Sequence, residues 1–81
     1  MNEVFEIKTK YGLVAMHWNF VCAIRYDNDQ PFVYINYNNG IQFNLEFDAT
    51  SKHSAAEVAK HAYEILLKDW QKKLMGIPTT L

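Results

Sequence analysis

The segment around Asn38-Asn39-Gly40 constrains the fold most, because it joins two stretches of alternating apolar residues. Alternation with a period of two is typical of strands with one buried face, and Asn-Gly between two such strands indicates a hairpin. Two registers compete. A two-residue loop would set Tyr34 opposite Leu45, whereas a three-residue loop with Gly40 left-handed would set Val33 opposite Leu45. Only the second gathers the aliphatic side chains of both strands on one face, so we predict the three-residue loop.

The chain before this hairpin also has strand character. Residues 3–9 alternate between apolar and charged side chains, and residues 13–18 and 21–26 are apolar runs separated at Asn19. The two apolar runs form either one long bent strand or two strands. We favour two, or one with a bulge, because a straight strand of that length is uncommon.

A helix follows the hairpin. Ser54 stands three residues before Glu57, which is the spacing of a capping box. Beyond it, Gly76 and Pro78 are typical of a helix stop, so we predict a helix over about 54–75 and a short tail over 76–81. Apolar residues recur at helical spacing and define the predicted buried stripe: Ala55, Val58, Ala59, Ala62, Ile65, Leu66, Trp70 and Leu74.

These patterns predict an α+β fold. We expect an antiparallel β-meander of four to five strands within residues 3–48, with the C-terminal amphipathic helix packed on one face. The length of 81 residues predicts a single domain over 1–81. We expect replacement of Leu66 or Phe43 by alanine to cost about 2–5 kcal/mol.

Composition excludes several classes of protein. The net charge of −1 provides no general attraction to nucleic acid or to an anionic membrane. Cys22 is the single cysteine, which favours a reduced, half-buried thiol in the cytoplasm. The N-terminal residues do not resemble a signal peptide, and no apolar run approaches the ~20 residues of a membrane span. We therefore predict a cytoplasmic protein with no membrane contact.

Metal-ligating residue types occur in two weak patterns. His53, Glu57 and His61 are spaced four apart, but His53 precedes the predicted helix and three such residues span more length than one ion bridges. Asp27 and Asp29 begin like a calcium loop whose later ligands are missing, so a turn explains them better. We predict no metal and no cofactor.

Catalytic patterns are also missing. The chain has no phosphate-binding glycine loop and no nucleophile elbow. His17 lies in an apolar run, where a histidine on a strand edge is the simpler interpretation. We predict that the protein is not an enzyme.

The predicted register leaves a sheet face for a partner. We call it the open face, and it comprises Phe32, Tyr34, Asn36, Asn44 and Glu46. Aromatic rings among amides suit a protein interface, so we predict a small protein-interaction module, monomeric or homodimeric, that binds through this face or an edge strand. Small phage inhibitors and accessory proteins of mobile elements often have this size and lack motifs, so we expect an inhibitor, an adaptor or an accessory subunit.

The alternative prediction is a nucleic-acid-binding domain. Bases would stack on the exposed aromatic rings, and a lysine flank on the helix would contact phosphates. Against this, lysine and arginine are not interleaved with Phe32 and Tyr34 in the sequence. The predicted flank comprises Lys60, Lys68, Lys72 and Lys73.

Overall fold

A computed structural model describes residues 4–75 of the chain, with side chains through residue 73. It confirms the predicted α+β class, with five antiparallel strands followed by one helix. The predicted first strand residue, Glu3, and the predicted tail over 76–81 lie outside this range. The elements are β1 (Val4–Thr9), β2 (Gly12–His17), β3 (Val21–Tyr26), β4 (Phe32–Tyr37), β5 (Gln42–Glu46) and α1 (Ala55–Met75).

The strands divide between two sheets. β1 and β2 form a hairpin, and β3, β4 and β5 form a three-stranded meander in that order. β2 and β3 are two separate strands, as favoured above. Phe20, in the segment between them, takes a left-handed conformation with φ of 69°. A register shift between Val21 and Ala23 then turns Val21 inward and leaves Cys22 exposed. The prediction of a half-buried thiol is therefore wrong, because the bulge was expected near Asn19 and not within β3.

The β4–β5 hairpin has the predicted register. Val33 lies opposite Leu45, and Ile35 lies opposite Phe43. The Tyr37 amide donates to the Ile41 carbonyl at 2.8 Å, and the Gly40 amide donates to the Tyr37 carbonyl at 3.0 Å. Gly40 has φ of 89°, which a residue without a Cβ adopts most readily.

The capping box also forms as predicted. The Ser54 amide donates to Glu57 Oε1 at 2.8 Å, and the Glu57 amide donates to Ser54 Oγ at 3.2 Å. The Val58 amide donates to the Ser54 carbonyl, so the first helical hydrogen bond begins at the cap. Two donors that the first helical turn leaves free are thereby satisfied.

The core is enclosed by the meander, the hairpin and the helix together. α1 packs against β3 and β4, and the aliphatic residues of β4 and β5 lie beneath it. The buried apolar residues are Met16, Trp18, Val21, Val33, Ile35, Leu45, Phe47, Ala59, Ala62 and Leu66.

Some residues at predicted buried positions are exposed, among them Ile65 and Phe43. Ile65 is 54% exposed, because it lies about 100° around the helix from Leu66, on the side away from half-buried Tyr63. Phe43 is 48% exposed although it pairs with fully buried Ile35. It lies near the turn end of the hairpin, beyond the cover of the helix. Replacing Phe43 by alanine should therefore cost less than the 2–5 kcal/mol expected for a buried ring.

A stack of aromatic rings connects the β1–β2 hairpin to the helix. The rings of Phe5 and Trp18 stack with centroids 4.1 Å apart, and Trp18 lies 6.4 Å from Trp70. Trp18 Nε1 donates to Asp69 Oδ2 at 2.6 Å. Within the described residues, the Nε1 of Trp70 is buried without an acceptor.

Candidate functional site

The structure brings the five residues of the open face together. The β4–β5 register sets Phe32 beside Glu46 and Tyr34 beside Asn44. Asn36 pairs with Gln42, whose side-chain amide donates to Asn44 Oδ1 at 2.9 Å. The face therefore combines two aromatic rings with a row of amides and one carboxylate.

The aromatic part of the open face is held by contacts within the sheet. Phe32 and Tyr34 have ring centroids 5.9 Å apart, and the Arg25 guanidinium carbon lies 4.5 Å above the Tyr34 ring. Arg25 Nε also lies 3.2 Å from Asp27 Oδ1. A planar cation over an aromatic face is an attractive arrangement, so the ring of Tyr34 is restrained from two sides.

Although no basic residue is close to Phe32 and Tyr34 in the sequence, the fold places Arg25 beside Tyr34. Arg25 is nine positions from Tyr34 in the chain but directly opposite it across β3 and β4. Sequence reasoning could have found the contact had the β3–β4 register been worked out as closely as the β4–β5 register.

The polar end of the open face is connected to the first hairpin. Glu46 accepts from Lys10 Nζ and from the Tyr11 hydroxyl, each at 3.3 Å. The Lys10 amide donates to the Glu46 carbonyl at 2.8 Å. The hydrogen bond and charge of Glu46 hold the pKa of Lys10 above its usual value. Both cations at this face, Arg25 and Lys10, thus have a carboxylate partner.

Sequence reasoning missed a second surface, which we call the β2 groove. It lies between β2 and the turn end of the β4–β5 hairpin and has a volume of about 740 Å³. The larger apolar and aromatic side chains that line it are those of Val14, Met16, Phe20, Tyr37, Ile41 and Phe43. It was missed because Ile41 and Phe43 continue the pattern of the buried strand face, whereas the structure leaves them outside the helix. The alternation of apolar residues predicts which face of a strand is apolar, but not how far along the strand the helix covers that face.

Two of the histidines, His53 and His61, line the same hollow as Glu57 and Glu64. His53 Nδ1 lies 3.9 Å from Glu57 Oε1, which already accepts the Ser54 amide. That backbone hydrogen bond lowers the pKa of Glu57. His17 is exposed, and its carbonyl accepts from the Tyr37 hydroxyl at 3.3 Å. Among residues 4–75, no three His, Cys, Asp or Glu side chains are placed to share a metal ion.

Comparisons with protein families, curated proteins and solved structures found no match for this chain. In the described part of the chain, no helix combines the length and the hydropathy that crossing a membrane requires. The function therefore has to be inferred from the surfaces alone.

Proposed function

We propose that this protein is a small non-catalytic protein-interaction module that acts in the cytoplasm as an inhibitor, adaptor or accessory subunit. It binds a protein partner, or a second copy of itself, through the open face or an edge strand. The observation that carries this proposal is the restrained aromatic pair of Phe32 and Tyr34, with Arg25 over one ring.

The chemistry of the open face suits a protein partner. Tyrosine and arginine are enriched at protein interfaces because each presents a large planar surface with a polar end. Rings that are already held in place lose little conformational freedom on binding, so more of the contact energy appears as affinity. The neighbouring amides of Asn36 and Asn44 supply donors and acceptors for a polar rim.

Tyr34→Ala tests this surface. We expect the variant to keep its circular dichroism spectrum, because Tyr34 is only half-buried, and to bind the partner at least about tenfold more weakly. The wild-type protein and the variant are each used to capture partners from the native host. Any protein captured by the wild type is then purified and titrated against both.

Ile65→Ala is the matched control. It removes a half-exposed apolar side chain from the helix, on the other side of the sheet, and should bind as the wild type does. Equal affinities for the wild type and Tyr34→Ala would contradict the use of the open face. Size-exclusion chromatography with light scattering, run on the same samples, reports whether the partner is a second copy.

Nucleic-acid binding is the second candidate, and the contact between Arg25 and Tyr34 favours it, since bases stack on such pairs. The paired carboxylates, Asp27 and Glu46, argue against it because they neutralise the cations that would contact phosphates. We expect no retention on heparin or on mixed single-stranded oligonucleotides at low salt. Retention that falls steeply with added salt would favour nucleic acid instead.

A further inference from the structure

We propose that the β2 groove binds an extended, uncharged segment of a partner protein, which adds as a strand to the free edge of β2. The inference rests on the proposed function in one respect, because the partner is a protein. It selects β2 as the edge strand that binds, and it names the conformation and chemistry of the segment that binds there.

The backbone of β2 has an edge available for pairing. Thr9 and Gly12 face each other across a two-residue turn and exchange hydrogen bonds, and bonded pairs then alternate along an antiparallel ladder. The amides and carbonyls of Leu13, Ala15 and His17 therefore point away from β1. The His17 carbonyl does so visibly, since it accepts from the Tyr37 hydroxyl. In the described part of the chain, β2 pairs with β1 alone, and no other element donates to or accepts from the backbone of Leu13 or Ala15.

The groove runs along this edge. Four consecutive residues of β2, from Val14 to His17, line it. Successive side chains of a strand point to opposite faces, so all four can line one groove only if its wall is the edge of the strand. An extended segment lying in the groove would meet the outward N–H and C=O groups and form a ladder.

The opposite wall determines the chemistry of the segment. Phe20, Ile41 and Phe43 are 72%, 52% and 48% exposed, and polar contacts there come from Asn19, Asn38 and Asn39. None of the described residues that line the groove is Lys, Arg, Asp or Glu. The segment should therefore carry apolar side chains at alternate positions and no charge.

The size of the surface favours a short segment over a second copy of the chain. The exposed parts of Phe20, Ile41 and Phe43 amount to roughly 300 Å², given the area of such side chains. A stable dimer buries about 800 Å² on each partner. A strand gains main-chain hydrogen bonds in addition, so it needs less apolar area to bind.

Phe20 gives separate support. Its φ of 69° is a conformation that bulky residues rarely adopt, and its ring is mostly exposed. Glycine or asparagine would fit the backbone there with less strain. A strained, exposed aromatic at the rim of a groove is typical of a binding residue.

The first test examines the strand edge. Linear peptides are selected from a displayed random library on the immobilised full chain, and the affinities of enriched peptides are measured by fluorescence anisotropy. Ala15→Pro removes one outward amide, so we expect binding at least about tenfold weaker. Glu6→Pro is the matched control: Glu6 pairs with Ala15, and its amide points to the other edge of the hairpin. It should leave the affinity unchanged.

The second test examines the apolar wall and does not depend on a proline being tolerated. Ile41→Glu places a charge in the groove and should weaken the same peptides at least about tenfold. Ile65→Glu is its control, because Ile65 has similar exposure, 54% against 52%, but lies on the helix. In addition, hydrogen exchange at the Ala15 amide should slow when peptide is bound.

The outcomes separate this inference from the proposed function. Enrichment of alternating apolar peptides that need Ala15 and Ile41 supports it. Peptides that depend on Tyr34 but on neither groove residue would overturn it while keeping a protein-interaction function at the open face. Failure to enrich any peptide would also overturn it. So would a dimer that Ala15→Pro abolishes, because a second copy of the chain would then occupy the groove.

Discussion

At the scale of single residues, the two tryptophans of the aromatic stack differ in whether the indole N–H has a hydrogen-bond acceptor. Trp18 Nε1 donates to a carboxylate at 2.6 Å, whereas the Nε1 of Trp70 is buried with no acceptor among the described residues. A hydrogen bond to a charged group stabilises more than one between neutral groups, while a buried donor without a partner is a cost. Similar side chains in one stack therefore contribute unequally.

We expect Trp18→Phe to lower the free energy of unfolding more than Trp70→Phe, by roughly 1–3 kcal/mol. Both changes remove the same atoms, but only the first leaves Asp69 without its donor. Urea denaturation of both variants followed by circular dichroism measures the difference. Equal losses, or a larger loss for Trp70→Phe, would contradict this account of the two N–H groups.

Sequence reasoning failed at residues whose environment depends on distant parts of the chain. Phe43 and Ile65 have apolar side chains at the right spacing, but their exposure depends on where the helix lies on the sheet. Cys22 depends on a bulge in β3, and Arg25 depends on its partner across the sheet. Spacing along the chain reports which side of an element a residue occupies, not whether another element covers it.

At the scale of elements, the reasoning succeeded where a local signal fixed the geometry. The β4–β5 register followed from the turn residues and the need to keep Val33, Ile35 and Leu45 on one face. The helix start followed from Ser54 and Glu57. The open face was predicted by the same register, whereas the β2 groove needed the relative placement of two hairpins, which no local signal contains.

The helix cap should make stability depend on pH. Hydrogen bonding from Ser54 lowers the pKa of Glu57 below its ordinary 4.5 in the folded state. The ionised Glu57 side chain therefore stabilises the fold fully at pH values above 4.5. This stabilisation is lost as the pH falls through the lower pKa of the folded state. We expect the stability advantage of the wild type over Glu57→Gln to shrink between about pH 5 and about pH 3. Denaturation at several pH values measures the gap, and a gap independent of pH would contradict the role of the charge.

At the scale of the whole molecule, the hairpin, the meander and the helix share one core. Met16 and Trp18 from the region of β2 lie in the same buried cluster as Ile35 from β4 and Leu66 from α1. None of the three parts encloses a core alone, so removing any one would expose the apolar residues of the others. The division into two sheets is therefore a division of hydrogen bonding and not of packing.

We expect a single cooperative unfolding transition as a result. Tryptophan fluorescence reports the contact between hairpin and helix, because Trp18 and Trp70 lie on its two sides. Far-ultraviolet circular dichroism reports mainly the helix. The two signals should give the same urea midpoint and slope. A fluorescence change that precedes the loss of helix would show that the hairpin is a separate folding unit and would contradict the single-domain prediction.

The bond between Trp18 and Asp69 joins residues 51 positions apart, and this separation has a consequence for synthesis. The ribosome releases the first hairpin long before it has made the helix that covers it. Until the last turns of the helix emerge, no helix covers the rings of Phe5 and Trp18, and these rings can contact chaperones or neighbouring nascent chains. Fragments truncated before Asp69 should therefore accumulate in the insoluble fraction of cells, while the complete chain does not.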